Sequence, residues 1–438
     1  MKLTSQEHDA IARAKSIAAL ALTVTFLAGV TVSQSAAKEG ALQKPKAKPA
    51  QYQPQQKTLP ALPNVSQPVR PQALPTPSQA SAQRMLEASL RNIGQNFNGD
   101  IGIAVKDIQT GFTASYDGST YFPQQSVSKF WVALTALDRA DKGLLSLESP
   151  VTVRRDDLTL FHQPIAAQVG PNGYTTTLSS LMYRAMTQSD NTCNDFVLWK
   201  AGGPEAVRSF LASKGISGIR FGPGERKLQA RIAGMEWQSY MVGSAFYAAR
   251  NALPMGVRRT AFENYIRDPM DGATPLGTVD ALARLKKGEL LSPRSTERLL
   301  SIMSQTRTGA QRLKGGLAPG WKLAHKTGTG QVLGGTQAGY NDIGIVTGPD
   351  GRSYAVAVFI RRTSAPLGHR MQAMQNTVRA TIDYARAMPI QNFVKIEQPV
   401  QRPVQALPKP VVAPAPAPGG LQSVVKTVES LTEEDSEE

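Results

Sequence analysis

The sequence predicts an α+β fold: an antiparallel sheet formed from N-terminal and C-terminal strands, packed against helices, together with an all-helical region. Two observations support this prediction. An amphipathic helix near residues 82–94 and apolar strands at 100–106 and 111–116 open the folded region, and a strand hairpin followed by a helix closes it. The long middle has helical periodicity. Because the strands lie at both ends and do not alternate with helices, the pattern disfavours a repeating βαβ arrangement.

The closing hairpin is predicted from two apolar runs within residues 342–360. They are separated by Gly348-Pro349-Asp350-Gly351, a combination typical of a tight turn. A helix is predicted after it, from about 367 to 388. We therefore expect the last two strands to pair with the first strands of the region.

The N-terminal 37 residues are predicted to be a secretory signal peptide. Arg13 and Lys15 precede an apolar run at 17–32, and small residues follow the run. That order of basic, apolar and small segments is typical of such peptides. An uncleaved membrane anchor is the alternative, although the run is short for a membrane span. Either interpretation predicts export, with the periplasm as the expected location.

Two further segments have compositions that differ from a folded domain. Residues 38–80 contain nine prolines among Gln, Lys and Ala, which predicts an extended linker. Residues 389–438 are proline-rich and then acidic, which predicts a disordered tail. One domain is left, over about 81–388.

Charge and cysteine content restrict the partners. The net charge is +16, which suits an anionic partner such as a cell-wall polymer, while export makes nucleic acid the least expected one. Simple solubility explains the charge equally well. Cys193 is the only cysteine, so no disulfide can form within one chain, and the four histidines have no metal-ligand spacing. We expect no metal and no cofactor.

A candidate nucleophile lies at the start of a helical run, in Ser126-Val127-Ser128-Lys129. Residues three apart share one face of a helix, so Lys129 would lie beside the Ser126 hydroxyl. Burial could lower the pKa of Lys129 enough for it to accept the hydroxyl proton. Taken alone this four-residue pattern is weak, because serine and lysine are common.

Two further triplets give the pattern its meaning. Ser189-Asp190-Asn191 follows an amphipathic helix, and Lys326-Thr327-Gly328 lies in a segment with strand character. The three elements in this order form the motif set of class A β-lactamases and penicillin-binding proteins. The domain 81–388 therefore resembles the class A β-lactamase family of penicillin-recognising serine hydrolases. Glu225, which lies 36 residues after Ser189, matches the family's deacylating carboxylate.

The resemblance implies a role for each matching residue. Ser126 would form the acyl-enzyme, with either Lys129 or Glu225, through a water, as base. Ser189 would relay a proton to the leaving nitrogen, and the backbone N–H groups of Ser126 and Thr329 would form the oxyanion hole. The implied substrate-binding residues are Phe161, Asn191, Gln229, Arg312, Lys326, Thr327 and Thr329.

The chain also departs from the family pattern. Gln229 replaces the asparagine that usually shares the hydrolytic water, and Pro223 stands where the family has an arginine. Asp195 replaces an asparagine, a feature also found in the PER-type subset. The segment 232–270 is an insertion with helical periodicity and six aromatic residues. These aromatics are expected to pack the insertion onto the body; the alternative is a lid or wall over the cleft.

The sequence leaves three functions open. The preferred one is hydrolysis of a small-molecule β-lactam through a serine acyl-enzyme, by a monomer. The alternatives are a peptidoglycan D,D-peptidase or slowly deacylating sensor, and a non-catalytic cell-wall-binding protein that uses the basic body and the proline-rich tethers. Because Glu225 lies at the offset that deacylation requires, hydrolysis is favoured.

Overall fold

A computed structural model describes residues 76–388 apart from residue 243. The predicted signal peptide at 1–37, most of the linker at 38–80 and the tail at 389–438 lie outside these residues. The helices of the described part are α1 Pro77–Gln95, α2 Lys129–Asp141, α3 Leu178–Thr187, α4 Asn191–Lys200, α5 Gly203–Ser213, α6 Glu225–Ile232, α7 Ser244–Ala252, α8 Met255–Arg267, α9 Pro275–Lys286, α10 Pro293–Ser304 and α11 Leu367–Ala387. Short 3₁₀ turns occupy Gln125–Ser128, Arg155–Asp157, Pro164–Gln168 and Leu313–Gly316.

The strands form one large sheet and two small ribbons. They are β1 Asp100–Asp107, β2 Thr113–Tyr116, β3 Phe122–Pro123, β4 Pro150–Val153, β5 Tyr174–Thr177, β6 Gly272–Ala273, β7 Lys322–Thr329, β8 Val332–Leu333, β9 Thr336–Thr347 and β10 Ser353–Thr363. The large sheet has the order β2-β1-β10-β9-β7, with β8 paired to β9, and all its pairs are antiparallel. The predicted α+β class, with a sheet built from both ends of the domain, is confirmed.

The central strands of the large sheet separate two hydrophobic layers, because their side chains point alternately to the two faces of the sheet. On β10, Val356 and Val358 pack with α1 and α11, while Ala357 and Phe359 face the helical layer that contains α2 to α4. Successive side chains of a strand point to opposite faces, so a continuous apolar run indicates a sheet covered on both sides. The sheet is therefore the middle layer, and the helical layer places α2 beside it.

Helix α1 begins earlier than predicted. Thr76 caps it by accepting a hydrogen bond from the backbone N–H of Gln79, whose side chain in turn accepts from the backbone N–H of Thr76. Pro77 takes the first helical position, where its missing N–H costs nothing. The prediction of linker up to residue 80 is therefore wrong at its end, because Pro77 begins a helix there.

Cys193 is fully buried in α4 and is a free thiol. Its backbone N–H donates to Asp190, the residue that caps the helix. Burial raises the pKa of the thiol, and the Asp190 carboxylate raises it further. The thiol is therefore neutral and shielded from reagents. None of the helices within the described residues is both long and apolar enough to cross a bilayer.

Candidate active site

Ser126 lies in the 3₁₀ turn that leads directly into α2, and Lys129 is the first residue of that helix. The Nζ of Lys129 lies 2.8 Å from the Oγ of Ser126, as the three-residue spacing predicts. The lysine side chain is fully buried, while Ser126 is partly exposed. The hydroxyl is thus open to a substrate, and its cationic neighbour is held inside the protein.

The backbone before the nucleophile is held in a strained conformation. Gln125 has a φ of +53°, a left-handed value that a residue with a side chain rarely adopts. Its backbone N–H donates to Asp271 at 2.8 Å, and its side-chain amide donates to the hydroxyl of Tyr265 at 2.5 Å. Phe161 and Ser189, both in the cleft, also have positive φ values. Such strain is typical of functional sites, because the surrounding structure must hold it in place.

Lys129 connects the nucleophile to the candidate base. Besides Ser126, its Nζ donates to the Oδ1 of Asn191 at 2.9 Å and to the Oε2 of Glu225 at 3.3 Å. Three acceptors around one nitrogen match the three hydrogens of an ammonium group. Because both side chains of the Lys129–Glu225 pair are buried, removing either would leave an uncompensated charge. Lys129 and Glu225, the two alternative bases that the family resemblance implied, thus contact each other.

Glu225 opens helix α6, and its surroundings position the carboxylate. Gly224 precedes it with a φ of +95°, which favours glycine, and a side chain there would meet Leu198 at 3.3 Å. The backbone N–H of Glu225 donates to Asp195 at 2.9 Å. Burial raises the pKa of Asp195 to about 6, and the charge of Glu225 contributes. Gln229, one turn later, donates from Nε2 to the Oε1 of Glu225 at 2.9 Å.

The second and third motifs meet on the opposite wall. The Nζ of Lys326, in β7, donates to the Oγ of Ser189 at 2.9 Å and to the carbonyl of Thr327. Burial, and then the charge of Lys129, lowers the pKa of Lys326. Strand β7 lies so close to the nucleophile turn that a Cβ on Gly328 would be 2.3 Å from the carbonyl oxygen of Gln124. Glycine is therefore required there for the three motifs to line one cleft.

Arg312 stands behind the end of β7. Its guanidinium donates to the carbonyls of Gly328 at 2.9 Å and Asn341 at 2.7 Å, and to the Oγ1 of Thr329 at 2.5 Å. The group also stacks on Tyr340, with 3.8 Å between Cζ and the ring centroid. These contacts hold a positive charge next to Thr327 and Thr329. The resemblance implied that Arg312, Thr327 and Thr329 bind the substrate, and the structure brings them together.

Phe161 and Asn191 line the other end of the cleft. The Nδ2 of Asn191 donates to the carbonyl of Leu160 at 2.8 Å, and its second hydrogen remains available to a ligand. The cleft has a volume of about 440 Å³ and is lined by Ser126, Phe161, His162, Ser189, Asn191, Glu225, Gln229, Arg250, Thr308, Arg312, Thr327, Thr329, Gly330, Gln331 and Val332. Lys129 and Lys326 lie buried behind this lining.

Several residues of the site were missed by sequence reasoning. Asp271 and Tyr265 support the nucleophile turn, and Gln331 donates to the Oε1 of Gln229 at 2.9 Å. Arg250 reaches the cleft from α7, within the predicted insertion. None belongs to a short motif, so only an aligned set of sequences with the same insertion could have pointed to them. In the described part of the chain, the acidic, histidine and cysteine side chains form no group suited to a metal ion.

The chain matches the model of the β-lactamase enzyme family over residues 85–385, nearly the whole described region. It belongs to this family. Among curated relatives of the enzyme, the β-lactamase VEB-1 of Pseudomonas aeruginosa is 26% identical over 299 residues, 68% of this chain and 90% of the relative. The extended-spectrum β-lactamase PER-1 of the same species is 29% identical over 243 residues, 55% of this chain and 68% of the relative.

Solved structures agree with this assignment. A β-lactamase from Chitinophaga pinensis DSM 2588 is 28% identical to the enzyme, with a TM-score of 0.54, and the match covers 71% of this chain and all of the other. The resemblance to class A β-lactamases inferred from the motifs is confirmed.

Proposed function

We propose that the enzyme hydrolyses β-lactam antibiotics through an acyl-enzyme on Ser126. The observation that carries the proposal is the bridge from the Oγ of Ser126 through the Nζ of Lys129 to the carboxylate of Glu225, at 2.8 and 3.3 Å. It joins a nucleophile, a positive charge and a base at one partly open cleft. The β-lactamase names of the relatives support the same reaction.

Acylation begins with attack of the Ser126 oxygen on the lactam carbonyl. Lys129 donates to Ser126, Asn191 and Glu225. The proton of Ser126 therefore has two routes. It passes to Glu225 through a water, or it passes to Lys129 after that lysine has given a proton to Glu225. The developing oxyanion is stabilised by the backbone N–H groups of Ser126 and Thr329. Ser189, which accepts a hydrogen bond from Lys326, relays a proton to the leaving nitrogen.

Substrate orientation comes from the two ends of the cleft. The guanidinium of Arg312 and the hydroxyls of Thr327 and Thr329 attract the carboxylate of the bicyclic nucleus, with Lys326 adding charge from behind. Asn191 binds the amide of the acyl side chain with its free N–H. Phe161 packs against the rest of that side chain.

Deacylation requires a water held between Glu225 and Gln229. The carboxylate of Glu225 is the only acidic group that lines the cleft in the described part of the chain, which makes it the base for this step. Gln229 takes the place of an asparagine, but both hydrogens of its Nε2 are used, by Gln125 at 3.0 Å and Glu225 at 2.9 Å. Its Oε1 already accepts from Gln331 at 2.9 Å, and the second lone pair of that oxygen can accept a hydrogen bond from the water.

Stopped-flow hydrolysis of a chromogenic cephalosporin tests the proposal. Wild-type enzyme is expected to release many equivalents of product. Glu225→Gln should release about one equivalent more slowly than wild type, since Glu225 also takes up the acylation proton, and then turn over roughly 10²–10⁴-fold more slowly, because general-base catalysis of deacylation is lost. Ser126→Ala should show no burst, and Glu87→Gln, at an exposed carboxylate, serves as a matched control. Rapid turnover by Glu225→Gln would refute its role in deacylation.

The same experiment separates hydrolysis from a slowly deacylating sensor or D,D-peptidase. The full use of the Gln229 amide hydrogens is the observation that favours this second function, because it restricts how water can be held. Wild-type enzyme that stalls after one equivalent would support it. Hydrolysis of a peptide ending in D-Ala-D-Ala would then identify a peptidase. A purely wall-binding protein predicts no burst at all.

Export is also part of the proposal. It is supported by the signal-peptide pattern of residues 1–37, which leads us to place the enzyme in the periplasm as a monomer, or on the membrane if the segment is not cleaved. Cell fractionation and the mass of the mature chain test both the location and the cleavage.

A further inference from the structure

Helix α7 of the insertion forms a wall at the mouth of the cleft. Its buried Phe246 and its exposed Tyr247 pack edge to face against Phe161, with ring centroids 5.4 and 5.8 Å apart. Phe246 also packs with Leu160 and Ala230 in a small hydrophobic cluster. The insertion therefore packs onto the body through Phe246 and lies against Phe161 at the cleft.

Arg250 projects from this wall into the cleft. It lies four residues after Phe246, on the same face of the helix, and it lines the cavity that contains Ser126. Its Cζ lies 5.2 Å from the ring centroid of Tyr247. Within the described residues its Nε is buried without a hydrogen-bond partner, and no carboxylate forms an ion pair with the group. A half-buried guanidinium in this state lacks the anion that its planar fork fits.

The position of Arg250 identifies which part of a substrate it would meet. Arg312 lies at the end of the cleft next to Thr329, where the carboxylate of the bicyclic nucleus is proposed to bind. Arg250 contacts Tyr247, whose ring packs against Phe161, and Phe161 follows Leu160, which accepts a hydrogen bond from Asn191. The cleft lining thus has two arginines, Arg250 and Arg312, and one acid, Glu225.

We propose that Arg250 forms a second anion site, which binds a carboxylate carried on the acyl side chain of a β-lactam. Tyr247 and Phe161 would hold the carbon part of that side chain, while the guanidinium pairs with its charge. The preferred substrates are then β-lactams with two carboxylates, one at each end. This inference rests on the proposed hydrolysis, since it assigns the substrate class of the same site.

Two substrate pairs test the proposal in the full-length enzyme. Carbenicillin differs from benzylpenicillin by one carboxylate on the α carbon of the side chain. Ceftazidime has a carboxylate on the oxyimino arm of its acyl side chain, where cefotaxime has a methyl group, and it also has a pyridinium at C3. Arg250→Gln is expected to lower kcat/KM for the member with the side-chain carboxylate in at least one pair by about fivefold or more, mainly through KM, with the other member changed less than about twofold. Arg250→Lys should keep part of the preference, since it keeps the charge but loses the fork.

Arg267→Gln provides the matched control, because it removes one exposed arginine of the same insertion outside the cleft. It should leave both ratios unchanged. Equal losses for both members of each pair, or no loss in either pair, would overturn the anion site while leaving hydrolysis intact. Wild-type enzyme that turns over none of the four compounds would instead refute the proposed function.

Discussion

Asp271, which supports the nucleophile turn, has an unusual environment for a carboxyl group. It is buried, its Oδ2 accepts from the backbone N–H of Gln125, and its Oδ1 has no hydrogen-bond partner among the described residues. No cation forms an ion pair with it among the described residues. Burial therefore raises the pKa of Asp271 to about 7, and the charge of nearby Glu225 adds to the effect. The hydroxyl of Tyr265 at 3.3 Å partly compensates.

This carboxyl makes stability depend on pH. Its pKa is higher in the folded state, so its stabilising contribution is complete below about pH 4 and is lost as pH rises to about 7. Asp271→Asn keeps an acceptor for the N–H of Gln125 but cannot ionise. We expect the variant to be more stable than wild type at pH 8, by up to about 4 kcal/mol, and the gain to vanish near pH 4.

Urea denaturation from pH 4 to 8 measures this difference. Asp350→Asn is the control with the opposite sign, because side-chain and backbone hydrogen bonds from Arg352 help to lower the pKa of Asp350. Its stability contribution is present at neutral pH and lost on acidification, so the control should be no more stable than wild type at pH 8. A gain from Asp271→Asn that stays constant with pH would contradict the explanation.

Helix α8 connects the insertion to the nucleophile turn. Its Phe262, Tyr265 and Ile266 pack against Leu228 of α6. The hydroxyl of Tyr265 accepts from the Nε2 of Gln125 at 2.5 Å, and the Oε1 of Gln125 accepts from Gln229. A chain of hydrogen bonds thus runs from α8 to Gln229, which contacts Glu225. Segments that are distant in the sequence thus help to position the carboxylate of Glu225, the candidate base.

Tyr265→Phe is expected to slow deacylation about tenfold and acylation by less than about twofold. The substitution leaves the Nε2 of Gln125 without its acceptor. The Gln125 amide, now less well fixed, would hold Gln229 less firmly, and Gln229 helps to hold the water of the second step. Pre-steady-state kinetics separate the two rates. Tyr240→Phe, at an exposed tyrosine of the same insertion, should change neither. Equal slowing of both steps would argue for a general loss of structure instead.

The sequence predicted the parts of the site that depend on local spacing. Ser126 and Lys129 are three residues apart at a helix start, so their contact follows from helix geometry. The helices of the insertion were also predicted, because the apolar residues of that segment recur with helical periodicity. The contacts of Tyr265 and Arg250 were not, because they depend on how α7 and α8 pack on the body. Pro77 was assigned to the linker because proline-rich composition conceals a proline at the first turn of a helix.

The charge of the whole molecule allows a second kind of interaction. With a net charge of +16, the protein is expected to bind an anionic cell-wall polymer weakly and independently of catalysis. Such attraction is screened by salt, since the Debye length falls from about 30 Å at 0.01 M to about 3 Å at 1 M. We expect co-sedimentation with murein to fall at least about fivefold over this range.

Ser126→Ala should bind murein as well as wild type does, which separates adhesion from acylation. Binding that does not change with salt, or that requires Ser126, would contradict an electrostatic origin.

The buried thiol of Cys193 also has a practical consequence. Because the native cysteine is neutral and inaccessible, a single new cysteine on the surface would be the preferred site for a thiol-reactive dye. Tyr240 and Met255 are exposed positions in the insertion, on either side of α7. A fluorophore attached at one of them would label the insertion that carries Arg250 without removing any native residue from the core.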